Sequence, residues 1–482
     1  MKPTSLEKLP FTTVLGYGAG DFGFNLAFSL SATFLLYYYT DVAGISAAAV
    51  GTMFFVVRLW DGLADLIAGR AVDRTMTRWG KFRPYLMFGA VPLLLLSYLV
   101  FHVPAGLEAG TKLLYAYISY AALGFVYSLA NIPYGSLASA VTQSVHERAK
   151  LVAGRAFGAA VGSIILTFVI GGMVNDLRAQ KAAVVTPADL AAYQAAIQDV
   201  FTKVTLAFIV IGTAAFWFTA WACRERVVRR QPRITVRETI ATLKSNKPLA
   251  YLCGSSFFYM TGVFAVTGST AFYAQYVLND ISLVGVITLV NTGISLLITP
   301  AIPWIIRKVG KKRVFQYCGV FTVVGGVGLF LAPAAMLWLV LLTLAIKGVG
   351  ATLINTLMFG LEADTVEYGE WQTGNRSEGL TYALFTFTRK LCQSIGGALG
   401  AWALAFGGYV AASKAVPRPV QPESAILAIK ATMGLLPAAA AVIAMLIFLK
   451  YPLTDSRFRQ IRDETEARKT AALTAQPEPT AP

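Results

Sequence analysis

An all-helical membrane fold of twelve spans in two halves is predicted by three features of the sequence. Apolar runs of about 20 residues, the length a bilayer-crossing helix needs, recur along the whole of the 482 residues. Charged residues make up 14% of the chain against 56% hydrophobic, where soluble proteins carry about 25% charged. The mean hydropathy is accordingly +0.60. The clusters of Lys and Arg fall in alternate connections between the runs, as expected when one membrane face holds the basic loops.

The spans run roughly 12–39, 47–71, 84–104, 112–142, 151–173 and 201–223, then 248–278, 283–306, 314–334, 336–366, 379–410 and 424–450. The turn after the second holds Arg70, Arg74, Arg78, Lys81 and Arg83, and the turn after the eighth holds Arg307, Lys308, Lys311, Lys312 and Arg313. The connections near Asp41, Asp280 and Ala332 carry no such cluster. The chain therefore divides into a six-helix half (1–223), a basic cytoplasmic linker (224–247), a second six-helix half (248–450) and a cytoplasmic tail (451–482). Both termini are expected inside. The tail starts with Phe458 and Ile461 at amphipathic spacing and ends in TAQPEPTAP, which buries too little apolar surface to fold. A short surface helix is expected over Pro187–Val200, and the first span is expected to be retained rather than cleaved.

Several function classes are set aside by composition. The net charge of +16 is distributed as loop clusters, which argues against nucleic-acid binding. Cys223, Cys253, Cys318 and Cys392 are far apart, lie in or beside apolar spans and lack metal-ligand spacing. With two histidines in the chain, a metal centre or a nucleophile–base pair is not expected, and neither is an enzyme.

Charged residues within the spans point to the chemistry. A charge inside hydrocarbon costs roughly 2.5–3.5 kcal/mol on insertion scales and marks a polar interior. Arg58, Asp61 and Asp65 share one helix face by their spacing of three and four. Two carboxylates a turn apart cannot both stay charged in a low-dielectric site without a counter-ion, so one takes a proton or a cation binds between them. That is the physics of ion coupling; a fixed Arg58–Asp61 pair holding helices together is the structural alternative. Asp21, with Asn25 one turn on, lies among glycines of the first span. The fourth span carries Tyr127, Ser128 and Asn131 before Pro133, where local unwinding is expected, and the fifth carries Arg155. In the second half Lys347, Asn355, Thr386, Arg389 and Lys390 are expected to face these carboxylates. The turn expected from Glu362 to Gly379 is acidic where basic residues are expected. It reads as a gate in which Asp364, Glu367, Glu370 and Arg376 work against the turn that carries Asp73, Arg78, Lys81 and Arg83, with Arg58 as a structural member.

Six plus six spans about a basic linker resemble the major facilitator fold, and the Gly69-x-x-x-Asp73-Arg74 turn is similar to that superfamily's loop signature. LLYYYTDVAG, RLWDGLADLIAGR, TRWGKFRP, NIPYGSLASA, YVLND and LEADTVEYGEWQTGNRSEGLTY followed by FTRK closely resemble the glycoside–pentoside–hexuronide:cation symporter family, its bacterial glucuronide carriers above all. The resemblance implies a cation site at Asp61, Asp65 and Ser128, and sugar contacts from Asp21, Arg155, Thr386 and Lys390. Against the melibiose carriers of that family, Asn131 replaces an Asp and Gly135 an aromatic ring, which suits an anionic sugar. Arg155, Arg389 or Lys390 would then meet a uronate. Ala64 replaces an oxygen-bearing side chain, which favours H+ over Na+ as the coupling ion.

The resulting expectation is an inner-membrane, multi-pass bacterial symporter that works as a monomer without a cofactor and imports a glucuronide or related glycoside with H+. Alternatives are a neutral pentoside or galactoside carrier, Na+ coupling, a lysolipid transporter, and a sensor that does not transport.

Overall fold

The computed structural model describes residues 8–142, 144–225, 246–373, 378–412 and 419–474. Among them the structure is helical, with one isolated bridge between Thr77 and Gly80. The first half contains α1 (Phe11–Val42), α2 (Ala47–Arg74), α3 (Arg83–Val100), α4 (Ala109–Val141), α5 (Val145–Asn175) and α6 (Pro187–Ala222). The second contains α7 (Lys247–Val277), α8 (Leu283–Val309), α9 (Lys311–Leu331), α10 (Leu337–Thr373), α11 (Glu378–Phe406) and α12 (Glu423–Leu449). A further helix, α13 (Asp455–Thr474), follows. Eleven of these are long and apolar enough to cross a membrane. The twelfth, α11, packs between α2 and α7 with Arg389 and Lys390 turned inward.

The two halves repeat one another in detail. The first helix of each ends in a five-residue π-helical turn, Tyr38–Val42 in α1 and Tyr273–Val277 in α7. Each basic turn contains a glycine in a left-handed conformation, Gly80 (φ 108°) and Gly310 (φ 86°), which side-chain-bearing residues avoid. In each case a carboxylate from beyond the sixth helix of that half caps the following helix. Glu225 accepts from Lys81, Phe82 and Arg83 N–H at 2.8, 2.7 and 3.0 Å, and Asp455 accepts from Lys311 N–H at 3.5 Å. An anion at a helix N-terminus satisfies orphan N–H groups and the helix dipole together.

The structure departs from the sequence expectation at several elements. Pro187–Val200 is no separate surface helix: it is the start of α6, 36 residues long, opened by a Thr186/Asp189 capping box and Pro187 at the first helical position. Helix α4 runs unbroken through Pro133. The acidic segment from Glu362 to Thr373 is not a turn but the end of the 37-residue α10. The tail forms 20 residues of helix, anchored by the fully buried Ile461. Most of the linker (226–245), Arg376, and the terminal segment 475–482 lie outside the described residues, as does the side chain of Asp73.

The halves meet along α2 with α11, α5 with α8 and α1 with α7. At the face away from the basic turns, Asp41 of α1 accepts hydrogen bonds from Tyr276 of α7 and from Tyr409, the latter at 2.8 Å. Its own half adds Thr40 at 2.9 Å, and Gln194 donates to the Asp41 carbonyl at 3.1 Å. Tyr37–Tyr39 and Phe272–Ala274 are fully buried there.

Candidate functional site

A cavity of about 240 Å³ lies between the halves, lined by four helices. From α2 come Arg58, Asp61 and Asp65; from α4, Tyr120, Gly124, Tyr127, Ser128 and Asn131; from α11, Thr386, Arg389, Lys390 and Gln393; and from α1, Ala27, Phe28 and Ser31. Each set follows the three-and-four spacing that places residues on one helix face.

The two carboxylates of α2 have different partners. Arg58 Nη1 donates to Asp61 Oδ2 at 3.0 Å, a pair within the helix. Asp65 pairs with Lys390 of α11, across the two halves. Both acids are mostly buried, with side-chain exposures of 14% and 21%. The second oxygen of Asp61, Oδ1, is buried and has no hydrogen-bond partner among the described residues. It sits against Gly124, where any Cβ would overlap it, so the glycine makes room for the carboxylate. Ser128, one turn further along α4, is 5% exposed.

Asp21, Asn25 and Arg155 lie outside this lining. They form their own group between α1 and α5: Arg155 Nε donates to Asp21 Oδ1 at 2.8 Å, and Asn25 Nδ2 donates to Asp21 Oδ2 at 3.3 Å. The Arg155 guanidinium also lies 5.2 Å from the Tyr134 ring centre. Asn355 stands behind Arg389, accepting its Nη1–H at 3.0 Å. Lys347 does not face the carboxylates: it is buried and donates to the Met433 carbonyl at 2.9 Å. Ala64 is fully buried and is not part of the lining.

The structure places several of the residues expected to form a gate. Asp364 is paired within its own half, with Lys311 at 2.6 Å, rather than with the Arg78–Arg83 turn. In that turn Arg83 donates to the Ala220 carbonyl at 2.5 Å, Arg78 lies over the Trp79 ring at 4.3 Å, and Lys81 is buried beside Phe82. Glu367 and Glu370 follow on the last turns of α10, Glu370 buried. The neighbouring Trp371 donates to Glu464 of α13 at 2.7 Å. The four cysteines are free and buried. No cluster of His, Cys, Asp and Glu able to hold a metal occurs among the described residues.

A polar cavity between two six-helix halves, with charges of both signs facing each other across it, is the layout of a carrier. The MFS/sugar transport protein family matches residues 16–455. This chain belongs to that family. Among its relatives it is 40% identical over 464 residues to the glucuronide carrier protein homolog of Escherichia coli, covering 96% of this chain and 97% of that protein. It is 31% identical over 406 residues to the isoprimeverose transporter of Lactiplantibacillus pentosus, covering 84% and 82%. Among solved structures, a bacterial homolog of the human lysosomal transporter Spinster superposes with a TM-score of 0.63 at 12% identity, covering 94% of this chain and 97% of that one. The nucleoside transporter NupG superposes with a TM-score of 0.58 at 12% identity, covering 92% and 100%. At such identities these structures speak for the fold alone. This member of the sugar transport family is thus a multi-pass membrane transporter and not an enzyme.

Residues that sequence reasoning missed in this transporter are Tyr120, Gly124, Ser31, Phe28 and Gln393 in the cavity, and the Asp41–Tyr276–Tyr409 cluster. Of the cavity residues all but Ser31 had a signal available, since they stand at helical spacing from residues already singled out. Asp41 had one too: an acid at the end of an aromatic run, Tyr37–Tyr39, has to find donors. Its partners, 235 and 368 residues away, have no sequence mark that ties them to it.

Proposed function

We propose that this transporter imports a glucuronide or closely related anionic glycoside together with a proton, by alternating exposure of the central cavity. The observation that carries the reading is the Asp65–Lys390 pair, which ties the halves together inside the cavity beside Asp61. The family relationship supports a sugar as cargo, and the 40% identity to a glucuronide carrier protein homolog supports the uronide.

Placing the basic turns and both termini in the cytoplasm follows the positive-inside rule, with the bacterial cytoplasmic membrane as the setting. The cavity then faces inward, because the halves are bonded at the far face around Asp41. In this orientation the site is unloaded and each carboxylate is matched by a cation. The chain alone is therefore neutral at Asp61 and Asp65 and can reorient without cargo. On the outward side a proton on the pair releases Lys390, and the released ammonium, Asn131 and Thr386 receive the sugar. Inward opening returns the proton to water, the Asp65–Lys390 pair re-forms, and the sugar is displaced. Coupling arises because proton and sugar each compete with the same ion pair. A proton suits this site better than Na+: Asp61 Oδ1 offers one open carboxylate oxygen, and the buried methyl of Ala64 adds no further ligand.

The deciding experiment is uptake of p-nitrophenyl glucuronide into vesicles carrying the full-length chain, with pH and sodium gradients imposed separately. Accumulation against a concentration gradient is expected with the inward pH gradient alone. Accumulation driven by sodium alone would overturn proton coupling, and no uptake of glucuronide beside clear uptake of a neutral glycoside would overturn the cargo.

A further inference from the structure

The cavity lining carries more positive than negative charge. Among the described lining residues, Asp61 and Asp65 stand against Arg58, Lys390 and Arg389. Arg58 is matched by Asp61 and Lys390 by Asp65, while Arg155 is matched outside the lining by Asp21. Arg389 is different. Its guanidinium bonds to the neutral Asn355 Oδ1 at 3.0 Å and lies 5.0 Å from the Phe359 ring centre, with no carboxylate in ion-pair distance among the described residues.

Asn355 and Phe359 supply no counter-charge; they fix the plane of the guanidinium. Arginine has five N–H donors in a rigid fork, and Asn355 accepts from one of them. The remaining donors can meet a carboxylate in the two-toothed geometry that Arg and carboxylate favour. A cation set in a partly dehydrated cavity without an opposite charge is costly unless a ligand brings one.

We propose that Arg389 is the carboxylate anchor of the substrate site, and that its unmatched charge makes the carrier select glycosides of one negative charge over neutral ones. This deepens the uronide reading above and rests on it. The two adjacent cations of α11 then divide the work. Lys390 answers to the protonation of Asp65, and Arg389 answers to the charge of the cargo. Thr386 and Gln393, one turn to either side on the same face, are placed to take hydroxyls of a sugar ring held by its carboxylate.

The test is competitive binding of p-nitrophenyl glucuronide and p-nitrophenyl glucoside to the purified full-length chain in proteoliposomes, for wild type, Arg389→Gln, Arg389→Lys and Asn355→Ala. Arg389→Gln is expected to weaken glucuronide binding about 10- to 100-fold, the range of a charge-assisted bidentate contact, while glucoside binding changes by less than about 3-fold. Arg389→Lys keeps the charge without the fork and should fall between, and Asn355→Ala should lose several-fold in the same direction. Should Arg389→Gln fail to fold, the other two variants carry the comparison. A wild-type preference retained in Arg389→Gln, or equal loss of both ligands in a folded variant, overturns the anchor. A wild type that prefers the glucoside overturns the uronide reading itself, so the two failures are distinguishable.

Discussion

Lys390 of α11 and Asp65 of α2 form an ion pair that joins the two halves of the molecule within the cavity. Removing one partner leaves the other charge unmatched, so Asp65→Asn and Lys390→Gln should each abolish uphill uptake. The double variant Asp65→Asn/Lys390→Gln restores charge balance and should recover thermal stability, without recovering uphill transport. Because the lysine is 40% exposed, solvent screens the pair, and a coupling energy of only about 1 kcal/mol is expected from the double-mutant cycle. Additive stability effects would show that the pair does not link the halves.

Gly124 is predicted to be irreplaceable because its α-hydrogen side faces Asp61 Oδ1. Gly124→Ala should push the carboxylate from its place and cost transport more than tenfold, with helix α4 itself undisturbed, since Ala is the better helix former by about 1 kcal/mol. Pairing it with Asp61→Glu, or comparing its pH profile of exchange with wild type, checks the cause: an unchanged profile and rate would remove Asp61 from the coupling site.

The Asp41 cluster closes the far face, and Tyr409 gives it two hydrogen bonds at 2.8 Å. Tyr409→Phe removes both and leaves the ring packing against Phe272 and Tyr276 in place. The expected result is a several-fold faster maleimide reaction of a cysteine placed near the far end of α1, reporting a population shifted toward opening there. Equal labelling rates in variant and wild type would mean that the cluster is packing and not a lock.

Asp364 is predicted to stabilise the second half rather than to gate. Its partner Lys311 also lies in that half, at 2.6 Å, and the carboxylate is 10% exposed. Asp364→Ala should lower the stability of the protein in detergent by about 1–3 kcal/mol, read from thermal unfolding, and Lys311→Ala should do the same. A change in the inward–outward distribution with no loss of stability would restore the gate reading.

Tail docking should depend on pH through Glu464. The Trp371 indole hydrogen bond holds the Glu464 carboxyl below the usual glutamate range. A carboxyl lowered on docking contributes fully above its ordinary value of about 4.3 and loses that contribution as pH falls through the docked value. Amide protection in α13, relative to intrinsic exchange at the same pH, should therefore fall in acid, and Glu464→Gln should flatten that dependence. An unchanged acid response in the variant would assign it to another group.

Much of the architecture was legible because membrane physics writes it into short windows of sequence. The span pattern, the two halves and the α2 face with Arg58, Asp61 and Asp65 follow from hydropathy and helical spacing alone. Helix ends were less legible: the capping box at Thr186 lengthened α6 over a segment read as a surface helix, and the acidic end of α10 stayed helical although its composition suggested a turn. Long helices pass beyond the bilayer, where hydropathy no longer marks them.

The sequence by itself determined which residues could carry charge in the membrane, because every such residue costs free energy wherever it goes. It also carried, in its motifs, the resemblance to a sugar transport family, to which the chain belongs. Only the tertiary structure decided who meets whom. It matched Asp65 with Lys390, Asp21 with Arg155 and Asp364 with Lys311, and left Arg389 facing the cavity with an amide and a ring. The physical reason is that an ion pair is a property of distance in space. Partners such as Asp65 and Lys390 lie 325 residues apart along the chain, and helix packing alone brings them together.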